Sequence, residues 1–248
     1  MKKIVISLLI AASSVFAGEI NLAVAANVSY AMDELKAAFA QTHPDTKVVV
    51  TLSSSGKLTA QIKNGAPYGL FMSANMKYPE ALYKDGIATT KPVVYAQGAL
   101  AYLTTRKLDL SQGIKLVASK DVSKIAIANP KTAPYGKAAV EAMKNGSVYE
   151  DVKDKFVYAE SISQTVTYSI SAADIGFIAK SSLYSPKMSQ YKEGVNYTAV
   201  DPKLYTPIKQ GIVLLKFAQD NQEYKEFYDF ILSDKAKAIF KKFGYIVQ

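Results

Sequence analysis

The sequence predicts an α/β fold in which two doubly wound, mainly parallel sheets are flanked by helices. Short apolar runs alternate with segments of helical spacing, three times before residue 85 and again after residue 123. Two apolar runs, at residues 93–96 and 99–103, stand almost back to back, as in a chain that crosses between two halves of a fold. A long apolar run at residues 209–216 predicts a strand that returns to the first half.

Strand and helix patterns alternate regularly in the first half. They predict strands at residues 19–25, 47–52 and 69–74, and helices at residues 28–41, 57–62 and 76–84. Asn27 is a good N-cap for the first helix, because its side-chain oxygen can accept a first-turn N–H group. Three strand–helix units in succession favour a parallel sheet.

The second half repeats this alternation. Strands are predicted at residues 124–128, 156–158 and 174–179, helices at 136–144 and 162–171, and two final helices at 222–232 and 235–243. Residues 181–198 are rich in tyrosine and serine without clear periodicity, and we expect them to cover an edge of this half. The pattern predicts one lobe from residues 18–95 and 209–248 and another from residues 96–208.

Residues 1–17 have the pattern of a secretory signal peptide. Lys2 and Lys3 precede an apolar run at residues 4–10, and Val15, Phe16 and Ala17 form a small-residue cleavage pattern. The apolar run is far shorter than the ~20 residues that a membrane-spanning helix needs. We therefore predict export, cleavage after Ala17 and no direct membrane insertion.

Composition excludes several kinds of site. The chain contains no cysteine, which excludes disulfides, thiolate metal sites and cysteine nucleophiles. Its formal net charge of +9 falls to +7 without the two lysines of the signal peptide, and the remaining basic residues are scattered. Because nucleic-acid binding needs a basic stripe interleaved with aromatic residues, we expect no nucleic-acid partner. The single histidine, His43, has no ligand partners at useful spacing, so no site for a bare metal cation is expected.

Four turns stand directly before predicted helices and after predicted strands. They are residues 26–27, 53–56, 134–136 and 161–163. The first N–H groups of a helix have no partner within it, and they carry the positive end of its dipole. Ligands of doubly wound sheets bind outside the carboxyl ends of the strands. The four turns therefore predict a shared anion site in a cleft between the lobes.

The lack of charge in these turns indicates which anion fits. Apart from Lys57, just inside its helix, none of the turns carries a charged residue. A protonated anion such as hydrogen phosphate brings an O–H group that needs an acceptor, usually a carboxylate. A fully deprotonated tetrahedral anion such as molybdate, tungstate or sulfate needs donors only.

Several stretches carry a resemblance to a known family. They are LAVAAN at residues 22–27, SSSGKL at 53–58, QIKNGAPYGLFMSA at 61–74, NP at 129–130 with APYG at 133–136, and AIFKKFGY at 238–245. With them the chain resembles the molybdate-binding periplasmic component of ABC transporters over nearly all of the predicted mature sequence. The combination of the serine turn with the GAP and LFMSA segments is the specific part of the match.

The resemblance implies a two-lobed periplasmic-binding-protein fold with the ligand in the inter-lobe cleft. It implies a monomeric periplasmic protein that is not an enzyme, needs no cofactor and delivers molybdate or tungstate to a membrane permease. The family's oxyanion contacts fall on Asn27, Ser55, Tyr135 and Ile162. The metal would arrive within the oxyanion, held by these same four residues.

One family contact has no counterpart here. Some members place a tyrosine hydroxyl after the strand at residues 174–179, where this sequence has Ala179. We expect the hydroxyl of Tyr135, Ser161 or Ser163 to compensate.

Two other functions fit parts of the sequence. A binding protein for another tetrahedral oxyanion, such as sulfate, would use the same donors, and only pocket size would separate the ligands. An exported serine hydrolase would use a nucleophile within residues 53–55, but His43 is the only possible histidine base and no Gly-x-Ser-x-Gly elbow surrounds these serines.

Overall fold

The computed structural model describes residues 18–247, and the predicted signal peptide lies outside the described residues. Within that range, ten strands form two five-stranded mixed sheets. No helix in this part of the chain has the length and apolar character needed to cross a membrane.

The first sheet has the order β2-β1-β3-β10-β4. Its strands are β1 (Glu19–Ala25), β2 (Lys47–Ser53), β3 (Leu70–Ser73), β4 (Val93–Gly98) and β10 (Ile208–Leu214). β1 pairs in parallel with β2 and β3, so these strands end at one edge of the sheet. β10 runs antiparallel between β3 and β4.

Helices cover both faces of the first sheet. They are α1 (Ser29–Ala40), α2 (Ser55–Lys63), α3 (Lys77–Lys84), α7 (Gln222–Leu232) and α8 (Asp234–Lys242). Leu22 and Val24 pack towards α1, α7 and α8, whereas Ala23 packs with Leu58 of α2. A strand buried on both faces is apolar at successive positions, which explains the continuous apolar runs in the sequence.

The second sheet has the order β7-β6-β8-β5-β9. Its strands are β5 (Leu100–Leu103), β6 (Ile125–Ala128), β7 (Phe156–Ala159), β8 (Ile175–Ala179) and β9 (Tyr197–Ala199), and its helices are α4 (Pro134–Asn145), α5 (Tyr149–Val152) and α6 (Ile162–Ser171). Only Ala99 separates β4 of the first sheet from β5 of the second. β6 pairs in parallel with β7 and β8, so α4 and α6 both begin at the same edge.

The structure corrects several predicted boundaries. α2 begins at Ser55 and α4 at Pro134, each two residues before its predicted start. Proline suits the first helical position because its missing N–H group has no partner there in any case. The helix α5 and the 3-10 segment Leu110–Ala118 were not predicted. Within residues 181–198, 3-10 turns lead to the start of β9, which pairs with β5 at the sheet edge.

The predicted N-cap role of Asn27 is wrong. Residues Ala26–Val28 form a 3-10 turn, Val28 is the N-cap residue of α1, and no side chain caps this helix. The Asn27 side chain instead bonds to residues distant in sequence.

Gly136 allows α4 to begin directly against the end of β6. A Cβ atom at this position would lie 1.9 Å from the carbonyl oxygen of Ala128 and 2.6 Å from its carbonyl carbon. Both are backbone atoms, which cannot rotate away. Only glycine therefore lets the first turn of α4 reach the carboxyl edge of the second sheet.

We expect Gly136→Ala to lower the free energy of unfolding by about 2 kcal/mol or more, because overpacking typically costs about 1–3 kcal/mol even where side chains can adjust. Urea denaturation followed by circular dichroism measures this change. The exposed neighbour Lys137 provides the control, and Lys137→Ala should stay within about 0.5 kcal/mol of the parent. Equal midpoints for Gly136→Ala and the parent would contradict the expectation.

Candidate functional site

The four predicted turns meet at one small cavity between the two sheets. The space within it, including the part that is open to solvent, is about 190 Å³. The lining residues are Ala25, Ala26, Asn27, Ser53, Ser54, Ser55, Ala74, Ala133, Pro134, Tyr135 and Ile162. All four residues predicted to contact the ligand are among them, two from the side of each sheet.

Ser55 offers donors from both its backbone and its side chain. It is the first residue of α2, follows the extended Ser54, and is fully buried. Its Oγ accepts the N–H group of Ala74 at 2.9 Å. With that lone pair engaged, the hydroxyl proton is available to a ligand, as is the backbone N–H group in the first turn.

Tyr135 and Ile162 offer backbone donors from the second sheet. Pro134 occupies the first position of α4 and has no N–H group, so the first donor of that helix is the N–H group of Tyr135. Ile162 is the first residue of α6, whose N-cap residue Ser161 accepts the N–H group of Gln164. That cap leaves the N–H group of Ile162 to other partners, and both helix dipoles favour an anion here.

Asn27 contributes to a buried network behind the cavity. Its Nδ2 donates to Oε1 of Gln210 at 2.7 Å and to the hydroxyl oxygen of Tyr245 at 2.9 Å. Its carbonyl oxygen accepts from Tyr245 at 2.8 Å and from Ser181 at 3.1 Å. Its Oδ1 is buried and has no hydrogen-bond partner among the described residues.

All three hydroxyls expected to compensate for Ala179 have hydrogen-bond partners within the protein. The hydroxyl oxygen of Tyr135 accepts from Nε2 of Gln210 at 3.4 Å, and the hydroxyl of Ser163 donates to the carbonyl oxygen of Ala26 at 2.7 Å. The Oγ of Ser161 caps α6. Burial raises the pKa of Tyr135 well above the usual range, so this hydroxyl stays neutral.

Ser54 belongs to the predicted turn at residues 53–56, but it was not among the predicted contact residues. Its side chain is almost fully buried, lines the cavity and has no hydrogen-bond partner among the described residues. The signal was present in the run of three serines, but the resemblance placed a contact only on Ser55. Gln210, Tyr245 and Ser181 had no local signal, because they reach Asn27 from distant parts of the chain.

Contacts across the cavity hold its two sides together. The N–H group of Gly56 donates to the carbonyl oxygen of Thr132 at 2.8 Å. Lys57 forms an ion pair with Glu160 at 2.8 Å, and both side chains remain partly exposed. Such an exposed pair contributes about 0–1 kcal/mol. The backbone hydrogen bond between Gly56 and Thr132 is therefore the contact to test for a role in holding the two sides of the cavity together.

Electrostatically, the lining of the cavity is neutral. Its lining residues include no Asp, Glu, Lys, Arg or His. In residues 18–247, no group of three or more His, Asp or Glu side chains is placed to hold a metal ion. His43 stacks on Phe39 and lies 3.4 Å from Glu226, and none of these residues lines the cavity. The arrangement suits capture of a small oxyanion.

Comparison with known proteins gives the family. Residues 20–246 match bacterial extracellular solute-binding proteins. The molybdate-binding protein ModA of Rhodobacter capsulatus is 35% identical over 234 residues, 94% of this chain and 90% of that protein. The ModA of Azotobacter vinelandii is 32% identical over 235 residues, 94% of this chain and 91% of that protein.

The solved structure of the Azotobacter vinelandii periplasmic molybdate-binding protein has a TM-score of 0.85 to this chain at 31% identity. The match covers 92% of this chain and 99% of that one. This chain belongs to the bacterial extracellular solute-binding protein family. The predicted fold class and the resemblance drawn from the sequence are confirmed.

We expect Gly56→Ala to open the cavity. A Cβ atom would lie 2.9 Å from both the Cα and the carbonyl oxygen of Thr132, and 2.8 Å from the hydroxyl oxygen of Tyr78. Separating these atoms also removes the hydrogen bond between Gly56 and Thr132. The arrangement in which the two sides of the cavity are in contact is therefore destabilised by about 1 kcal/mol or more. Small-angle X-ray scattering should give a larger radius of gyration for this variant.

Lys63→Ala, at the far end of the same helix, is the control and should scatter like the parent, because Lys63 pairs with Asp85 on the same side of the cavity. An unchanged radius of gyration for Gly56→Ala would show that the close approach does not hold the two sides together.

Proposed function

We propose that this chain is the periplasmic solute-binding component of an ABC transporter and that it captures molybdate. The main support for this proposal is the cavity, whose lining contains helix-start N–H groups and serine hydroxyls but no charged side chain. The molybdate-binding relatives from Rhodobacter capsulatus and Azotobacter vinelandii support the same ligand. Tungstate has the same charge and tetrahedral shape, so it belongs to the proposal.

In this proposal Asn27, Ser55, Tyr135 and Ile162 hold the anion. Neutral donors can replace the hydration of a dianion without bringing a counter-charge into the cavity, because several N–H groups at the starts of three helices lie at one place. The metal remains inside its oxyanion and needs no protein ligand of its own. No further cofactor is part of the proposal.

Release and capture would occur by movement of two lobes. The predicted lobe bounds cut across the first sheet, because β4 extends to Gly98 and β10 begins at Ile208. We therefore assign residues 18–98 and 208–247 to one lobe and residues 99–207 to the other, with the crossings at Ala99 and just before β10 as the hinge. An anion that contacts both lobes stabilises the closed state more than the open one, which is the condition for ligand-driven closure. The contact between Gly56 and Thr132 would belong to the closed state.

The setting follows from the same proposal. The segment before Gly18 would direct export and be removed after Ala17, and the monomeric protein would pass its ligand to a membrane permease. Catalysis has no part in this role. A serine hydrolase would need a base beside its serine, and His43 lies against Phe39 and Glu226, outside the cavity lining.

Titration calorimetry of the purified mature chain tests the ligand. We expect one molybdate or one tungstate to bind per chain, and hydrogen phosphate to give no measurable heat, because its proton finds no carboxylate acceptor. Sulfate is the informative competitor, since it uses the same donors and differs in size. No binding of molybdate or tungstate would refute the function, and tighter sulfate binding would reassign the ligand.

We expect Ser55→Ala to weaken molybdate binding by about 10- to 100-fold, because hydrogen bonds to charged groups contribute about 1.5–3 kcal/mol. The same titration measures the loss. Ser171→Ala removes an exposed helical serine and should bind like the parent. An affinity of Ser55→Ala equal to that of the parent would remove Ser55 from the site.

A further inference from the structure

Gln210 is a fully buried amide that lies between the two sides of the cavity. It belongs to β10, at a point where the pairing register with β4 shifts. Its Oε1 accepts from Asn27 at 2.7 Å and from the hydroxyl of Tyr95 at 2.9 Å, and its Nε2 donates to Tyr135 at 3.4 Å. Register irregularities re-aim side chains, which suits a residue that connects separate elements.

The partners of Gln210 include one proposed ligand residue from each side of the cavity. Asn27 follows β1 of the first sheet, and Tyr135 lies in the first turn of α4 beside the second sheet. Gly98 makes room for this arrangement, since a Cβ atom there would lie 1.9 Å from the hydroxyl oxygen of Tyr135 and 2.9 Å from Nε2 of Gln210. One buried amide therefore joins both halves of the site.

The hydrogen bonds of Asn27 pose a problem for an anion site. Both hydrogens of its Nδ2 point to Gln210 and Tyr245, while Oδ1 is buried and finds no partner within residues 18–247. An unpaired acceptor next to a dianion is doubly unfavourable, because it lacks a donor and its partial charge repels the ligand. A half turn of the amide would exchange the two atoms and present a donor instead.

We propose that Gln210 is a positioning residue of the anion site, and that it decides which end of the Asn27 amide is free to face the ligand. When the anion binds, both amides turn over together. Nε2 of Gln210 then donates to Oδ1 of Asn27 and to the hydroxyl oxygen of Tyr95, and its Oε1 accepts from the hydroxyl of Tyr135. The hydroxyl of Tyr245, which lies beside the same end of the Asn27 amide, turns from the carbonyl oxygen of Asn27 to its Oδ1. Nδ2 of Asn27 becomes a donor to the anion.

The donor-outward orientation would also determine selectivity. With Oδ1 outward, the site would contain an acceptor that could receive the proton of hydrogen phosphate. With Nδ2 outward, the side chains and helix starts around the ligand offer donors only, and a protonated anion leaves its own O–H group unpaired. Gln210 would thus help to exclude hydrogen phosphate without touching the ligand.

A double-mutant cycle tests the proposal, which rests on the proposed function. Gln210→Met keeps the length of the side chain and removes its hydrogen bonds, and Asn27→Ala removes the group that Gln210 is proposed to orient. We expect each variant to bind molybdate about tenfold more weakly than the parent or worse. The double variant should bind no more weakly than the worse single variant, since Gln210 acts through Asn27.

A control variant and two further measurements distinguish a positioning role of Gln210 from a general loss of folding. Gln222→Met, an exposed exchange of the same type on α7, should bind like the parent. Thermal melts of the ligand-free variants report folding. The parent itself supplies a readout that does not depend on any variant folding: in amide nuclear magnetic resonance spectra, molybdate should shift the side-chain NH₂ signals of both Asn27 and Gln210.

The outcomes separate the two proposals. A parent chain that does not bind molybdate would overturn the function and with it this inference. A parent that binds, with Gln210→Met equally tight or with losses that add in the double variant, would overturn the inference alone. A shift of the Asn27 signal without the Gln210 signal would show that the two amides do not turn together.

Discussion

A buried site for an anion must replace the water that the anion loses, and this requirement organises the structure. In the proposed site the replacement is a set of neutral donors at the starts of helices, and a helix has such donors only in its first turn. Several helices must therefore begin at the same place. Parallel strands achieve this, because all of them end at the same edge of the sheet and a helix begins there after each strand.

Close approach between backbones makes the convergence possible. Gly136 lets α4 start against Ala128, Gly56 lets α2 reach Thr132 across the cavity, and Gly98 leaves space for the hydroxyl of Tyr135. At each position a Cβ atom would meet an atom of a neighbouring element at less than 3 Å. The alanine residues that line the cavity also allow close approach, since their small side chains let the helix starts lie near one another.

Around this neutral cavity lies a layer of buried tyrosines that stay uncharged. Burial raises the pKa of Tyr95 and Tyr135 well above the usual range and that of Tyr245 to about 12. Desolvation opposes the phenolate form, so these groups keep their O–H donors at ordinary pH. No negative charge then forms next to the anion, and the hydrogen bonds that orient Asn27 are preserved.

Local patterns predicted much of the fold and the four turns of the proposed site, and the family resemblance then assigned one contact residue to each turn. Apolar runs indicated the strands, and turns such as the one before α2 marked the helix starts, because these signals involve residues within a few positions of one another. Asn27 shows the limit of such patterns. Its type and place suggested an N-cap, but its side chain bonds to residues 183 and 218 positions away.

By itself, the sequence determined the class of site: uncharged turns between strands and helices, suited to an anion without a proton. Only the tertiary structure decided which polar groups surround those turns, as with Gln210 beside Asn27 and Tyr135, and the buried Ser54 on the cavity wall. The physical reason is that a helix start is a local property of the chain. The partner of a buried amide is instead selected by how distant segments pack together.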